Sequence, residues 1–244
     1  MSKFFVPKGN IGDSKITIEG EDVLHIRRVL RMKPGDRLRL CDSAGFDYTA
    51  VIEEIGEKIT CRIEDKEKSQ TEPPVKVTLF QGIPKAAKMD YIIQKTVELG
   101  IYEIVPCMLN RCVSKIEGDR KIMRWQKIAE EAAKQSGRGI IPKVHAPVAL
   151  SDAAEMMKKC DIVFVPYECE EQNSLKTALT QKENVRTAAF MVGPEGGFDQ
   201  AEIAELSQKG IMPVSLGKRI LRTETAGEAV LAMLMYEIGD INLL

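Results

Sequence analysis

Hydrophobic and polar positions fall into two rhythms along the chain. As far as residue 68, short alternating or β-branched runs predict strands over 15–18, 37–41, 48–55 and 58–63. Turn signals at Pro34-Gly35-Asp36, Ser43-Ala44-Gly45 and Gly56-Glu57 separate them. One helical stretch, 21–32, interrupts, with Val23, Ile26 and Leu30 on one side. Short strands in this length predict a small β-barrel. The stretch 64–74, EDKEKSQTEPP, is charged and ends in two prolines, which predicts a linker and divides the chain into domains 1–70 and 75–244.

From Val75 the pattern changes. Apolar strands without polar alternation are expected at 75–80, 104–109, 161–166, 188–192 and 212–216. Amphipathic helices are expected at 89–99, 121–135 and 151–159, after Asp199, and over 226–238. This is the α/β signature of a parallel sheet covered on both faces. Asp199 with Glu202, and Thr225 with Glu228, have the spacing of capping boxes. The last helix is apolar nearly all round, including Val230, Leu231, Met233, Leu234 and Met235. One face packs on the sheet and the other needs a partner, so a homodimer is expected.

Composition narrows the class. The six cysteines show no CxxC pair and the two histidines lie far apart, so free thiols and no metal are expected. No apolar run reaches membrane-spanning length, and the N-terminus lacks a long apolar segment; no membrane contact and a cytoplasmic location are expected. The net charge of −1 gives no global attraction for a polyanion. Local charge does more. Residues 27–39 hold six basic side chains against Asp36 alone, and 111–143 hold nine against four acids, so a directed anionic partner is expected, nucleic acid being the commonest.

Chemistry concentrates where two strands end. After 188–192 comes Gly193-Pro194-Glu195-Gly196-Gly197-Phe198, a loop with little side-chain bulk. It lacks the Gly-Lys-Ser/Thr of a phosphate loop, and Glu195 would repel pyrophosphate while tolerating a cationic ligand. After 212–216 comes Gly217-Lys218-Arg219-Ile220-Leu221-Arg222-Thr223-Glu224-Thr225. A helix start explains Thr225, but an arginine there opposes the helix dipole by about 0.5 kcal/mol, which favours a functional Arg222. Two such loops at the carboxyl edge of a parallel sheet can meet on one ligand.

These motifs, together with HIRRVLRMKPGD at 25–36, QGIPKAAKMDYIIQKTVELG at 81–100 and WQKIAEEAAKQSGR at 125–138, resemble the small-subunit ribosomal RNA uridine methyltransferases of the SPOUT (α/β-knot) class over nearly the whole chain. The resemblance implies a parallel sheet with a deep C-terminal trefoil knot and an N-terminal PUA-like barrel. It also implies a homodimer, S-adenosylmethionine as cofactor, and 3-methyluridine in 16S ribosomal RNA, free or in the assembled small subunit, as product. It assigns cofactor binding to Val165, to Gly193, Pro194, Glu195, Gly196 and Gly197, and to Leu216, Gly217, Ile220, Leu221, Thr223 and Thr225. Arg222 would stabilise the uracil anion and Glu224 would take or orient the proton. Arg28, Arg31, Lys85, Lys88, Arg111, Lys115 and Arg138 would line an RNA path. A non-catalytic RNA-binding protein on the same fold, and a small-molecule nucleotide-binding enzyme, are the alternative readings.

Overall fold

The computed structural model describes residues 3–113, 118–180 and 184–241. They divide into two units, 1–72 with 133–141, and 73–132 with 142–244.

In the first unit, β1 (Lys3–Phe5), β2 (Lys15–Ile18), β3 (Arg37–Cys41), β4 (Phe46–Ile55) and β5 (Ile59–Lys68) form one sheet in the order β1-β3-β4-β5-β2. Alternation turns Phe4, Ile16, Ile18, Leu38, Leu40 and Ile52 into a common core. Two expectations fail here. The supposed linker is half strand, because β5 runs to Lys68 and pairs with β4 as far as Phe46. Its charges are ladder side chains: Glu64 accepts from Arg37 Nε at 2.8 Å, Glu67 accepts from Arg39 Nη2 at 2.9 Å, and Lys66 lies over the Phe46 ring. The expected helix 21–32 shortens to α1 (Glu21–Leu24), followed by a π turn over His25–Val29 and Arg31 at a φ of +54°. That wide turn leaves Arg28 and Arg31 exposed.

Residues 133–141 complete this unit. Arg138, expected on an RNA path, is only 3 % exposed; its Nη2 meets Glu72 Oε2 at 2.5 Å. Glu72 Oε1 also accepts from the Gly139 and Ile140 amides at 2.8 and 3.0 Å. A buried guanidinium paired this closely is structural rather than a phosphate ligand.

The second unit carries β6 (Lys76–Gly82), α2 (Lys88–Glu98), β7 (Glu103–Met108), α3 (Arg120–Ser136, its last turn belonging to the first unit), β8 (Lys143–Val144), β9 (Val148–Ala149), α4 (Leu150–Met157), β10 (Ile162–Pro166), α5 (Leu175–Thr180), β11 (Thr187–Val192), α6 (Gln200–Gln208), β12 (Met212–Val214) and α7 (Thr223–Glu237). All its strand pairs are parallel, in the order β12-β10-β11-β6-β7-β8, with β9 also on β7. The apolar strands thus form the predicted doubly covered sheet. The two-residue β8 and β9 and the short α5 are not foreseen from the residues because they are too brief for any periodicity.

Helix α7 packs on α2 and against β6 and β11. It starts at Thr223, two residues before the expected cap, and makes no side-chain capping bond. The Thr225–Glu228 spacing therefore falls inside the helix, whereas the Asp199–Glu202 capping box on α6 is complete. Leu234 and Met235 are fully buried within their own unit, so the solvent-facing apolar side chains of α7 are Met233 and Tyr236. All six cysteines are free, and burial pushes the Cys41 thiol up to about 12. Among the described residues no helix is long and apolar enough to cross a membrane, and no side-chain cluster could hold a metal ion.

The bonds of Glu72 make a direct stability prediction. Glu72→Ala removes the carboxylate that a buried guanidinium and two amides share, and should destabilise the protein by about 3 kcal/mol. Urea unfolding measures this, and an unchanged midpoint would refute the assignment.

Candidate active site

The carboxyl ends of β10, β11 and β12 open into a cleft of about 440 Å³, within the size range of small-molecule sites. The two loops singled out in the sequence form its walls, from Gly193 to Phe198 and from Leu216 to Arg222 without Lys218, with Thr223 and Ala226 from α7. The third wall, Pro166-Tyr167-Glu168, was not expected. Val165, assigned to the cofactor in their place, is fully buried in the sheet core. Strand alternation turns its side chain away, and the cleft wall here begins at Pro166, the last residue of β10. Thr225 lines a separate shallow cavity with Lys88, Tyr91, Glu224 and Glu228, because one residue along a helix rotates its side chain by about 100°.

The glycines have specific work. A Cβ on Gly193 would lie 3.1 Å from the Gly197 carbonyl carbon and 3.2 Å from the Phe198 ring, so the loop's own fold would have to give slightly to admit one. A Cβ on Gly196 would approach Arg111 at 3.2 Å. Gly197 takes a φ of +67°, and a Cβ there would meet Glu168 Oε1 at 2.8 Å.

Carboxylates anchor the loop. Glu195 accepts from the Lys85 amide at 3.1 Å and meets Lys88 Nζ at 3.1 Å. Burial alone would raise its carboxyl, but backbone donors and Lys88 hold it below the usual range. Lys88 also reaches Glu224 Oε2 at 3.4 Å, and the hydrogen bond to Glu195 in particular raises its own pKa. On the far side, Asn110 donates from its backbone to Glu202 Oε1 at 2.7 Å and from Nδ2 to Asp199 Oδ2 at 2.8 Å. Arg111 Nη1 donates to the Gly196 carbonyl at 2.7 Å. Lys88 and Arg111, expected on RNA, are thus committed to this loop, while Lys85 has an exposed side chain. Lys115 lies outside the described residues.

Beneath the loop lies a buried polar relay. Gln81 Nε2 donates to Thr223 Oγ1 at 2.9 Å, and Thr223 Oγ1 donates to the Gly193 carbonyl at 2.6 Å. Thr223 is therefore a wall-fixing residue as well as a cleft residue. Gln81 was missed, although a polar side chain ending the apolar run Val77-Thr78-Leu79-Phe80 was a visible signal.

The cleft offers an apolar side from Phe198, Leu216, Ile220 and Leu221, and carboxylates at Glu168 and Glu195. That combination suits a flat heteroaromatic group joined to a cationic centre, as in S-adenosylmethionine. Arg222 is exposed at its mouth and is the N-cap of α7, its side chain making no cap bond.

Residues 71–235 match the family described as RNA methyltransferase domain, and residues 18–68 match the RNA methyltransferase PUA domain. The chain is 33 % identical to ribosomal RNA small subunit methyltransferase E of Bacillus subtilis, over 91 % of this chain and 90 % of that protein. It is 32 % identical to the Aquifex aeolicus protein of the same name, over 92 % and 95 %. A crystal structure of ribosomal RNA small subunit methyltransferase E from Neisseria gonorrhoeae, bound to S-adenosylmethionine, superposes with a TM-score of 0.86 at 31 % identity, covering 99 % of each chain.

Proposed function

Since the chain belongs to the RNA methyltransferase family that includes the ribosomal RNA small subunit methyltransferase E proteins, we propose that it methylates N3 of a uridine in 16S ribosomal RNA, using S-adenosylmethionine. The observation that carries this reading is the cleft itself, which sets an apolar slot and two carboxylates beside an uncommitted arginine.

When bound, S-adenosylmethionine supplies an electrophilic methyl group on a positively charged sulfur. The chain's own residues must then make a poor nucleophile reactive. N3 of uracil carries a proton between two carbonyls, so its electrons become available only as that proton leaves and charge spreads onto the oxygens. Arg222, free of any capping duty, stabilises that developing anion. Glu224, which Lys88 holds at 3.4 Å beside the cleft, receives or aims the proton. The loop carboxylates favour the cationic cofactor. Arg28 and Arg31, exposed on the first unit, hold RNA phosphates; Arg37 and Arg39 are spent on ion pairs.

Two features follow the family further. After β12 at the sheet edge the chain returns to the middle, where α7 packs on β6 and β11. On the way, Ser215 pairs with the segment at Asn173–Ser174, its amide donating to the Asn173 carbonyl at 2.8 Å. This course supports a C-terminal trefoil knot, checked by tracing the chain in a crystal structure. Tyr91 on α2, and Met233 and Tyr236 on α7, are large side chains exposed on two helices that pack together, which supports a homodimer. The ribosomal substrate makes the protein cytoplasmic, which fractionation of cells tests.

Mass mapping of small-subunit RNA after incubation with protein and labelled cofactor tests the reaction; an unmethylated uridine refutes it. Arg222→Ala should lower the single-turnover rate about 10²–10³-fold, as for loss of one oxyanion donor, with cofactor affinity changed far less. A normal rate removes Arg222 from the mechanism. If Glu224 is the proton acceptor, Glu224→Gln should be nearly inactive at every pH; activity rising towards alkaline pH in that variant assigns the proton to solvent.

Replacing Arg28 and Arg31 together by Ala should weaken RNA binding and flatten its salt dependence by about one unit for each phosphate no longer neutralised. Wild-type binding across a salt series would reduce the patch to a solubilising role. Met233→Glu with Tyr236→Glu should yield monomers in sedimentation, since charge in a buried interface loses its solvation. A monomeric wild type at micromolar concentration would rule the dimer out.

A further inference from the structure

We propose that Gln81 and Thr223 are positioning residues for methyl transfer: their buried relay fixes the start of α7, and Arg222 with it, against the first cleft loop. The proposal rests on the reaction proposed above.

Gln81 belongs to β6, at the centre of the sheet, paired with Val192 on one side and Pro106 on the other. It is fully buried. A position serving only the core would be filled better by an apolar side chain, because a buried amide needs partners for every polar atom. Here the amide nitrogen finds two, Thr223 Oγ1 and the Gly82 carbonyl, each at 2.9 Å. The amide oxygen is buried with none.

This pattern orients the relay. Thr223 has a single hydroxyl proton and donates it to the Gly193 carbonyl, so its oxygen is left to accept from Gln81. Turning the amide over would place its oxygen against the Gly82 carbonyl. Donation therefore runs one way, from β6 through the first residue of α7 to the first residue of the cleft loop. A Cβ on Gly227 would lie 3.8 Å from the Gln81 oxygen, so α7 passes close over the amide near its start.

Thr223 makes the case stronger. It is the first helical residue of α7, directly after the N-cap Arg222, and its hydroxyl is turned inward onto the Gly193 carbonyl. The neighbours of Thr223 are the two residues assigned to the chemistry, Arg222 before it and Glu224 after it. A displacement of about 1 Å in such groups costs on the order of 10²-fold in rate.

The test uses the full chain, S-adenosylmethionine and small ribosomal subunits lacking the modification. Gln81→Met and Thr223→Val keep volume but remove the relay. Each should lower the single-turnover rate at saturating cofactor by about 10–100-fold, with a thermal midpoint near wild type. Thr223→Ser should restore the rate, and the double variant should be no slower than the slower single one, because the two act as one unit. A full rate in either single variant, losses that multiply, or a lowered thermal midpoint with an unchanged rate per folded site overturns the proposal. If wild type transfers no methyl group, the proposed reaction fails instead. Amide hydrogen exchange then decides the relay: residues 193–197 and 223–227 should exchange faster together in Gln81→Met, and unchanged protection in both overturns it.

Discussion

The carboxyl edge of the sheet depends on how closely the loop after β11 lies on the end of β6. A Cβ on Gly82 would fall 2.7 Å from Pro194 Cδ and 2.8 Å from the Pro194 nitrogen, so only glycine permits the approach. The loop contributes one large apolar residue, Phe198, to the core, and cannot be held there by hydrophobic burial alone. Polar anchors do the rest: Glu195 ties it to the start of α2, Glu202 and Asp199 tie it to Asn110, and the Gly193 carbonyl is taken by Thr223. Such hydrogen bonds are modest individually but directional, which suits a wall whose shape matters more than its stability.

The same economy governs charge. Lys88 stands between Glu195 and Glu224, so one cation serves both the loop and the start of α7. Arg222, at the mouth of the cleft, stays out of this network. The RNA path implied by resemblance thus resolves into distinct duties: Arg138 is buried structure, Lys88 and Arg111 are loop anchors, and Arg28 and Arg31 remain open to an anionic partner.

The parallel sheet was legible because its apolar runs are long, and the α6 capping box because its residues sit at the helix start. Elsewhere local pattern and tertiary context disagreed. Thr225 and Glu228 have capping spacing, but Thr223 opens the helix and spends its hydroxyl inside. The charged end of β5 mimics a linker because its ion-pair partners on β3 are distant in sequence. Val165 was placed in the site by resemblance; the side chains that reach the cleft are its successors Pro166, Tyr167 and Glu168. The glycine loops were found through composition, but two neighbours that crowd Gly196 and Gly197, Arg111 and Glu168, lie outside any local window.

The make-up of the first unit bears on the order in which the nascent chain matures. Its sheet is synthesised by Lys68, yet Glu72 waits for Arg138, Gly139 and Ile140, and Lys3 donates to the Gly137 carbonyl at 3.0 Å. Cys41 and Gly45 likewise meet the Gly139 carbonyl, and Gly139 has no room for a Cβ beside Ser69. Domains generally mature from the N-terminus as synthesis proceeds. Here that sequence is interrupted: β6, β7 and most of α3 leave the ribosome before the strap that closes the earlier unit. A fragment ending at the apparent boundary would leave Glu72 without its buried partner, so no single cut in the chain parts the two units intact.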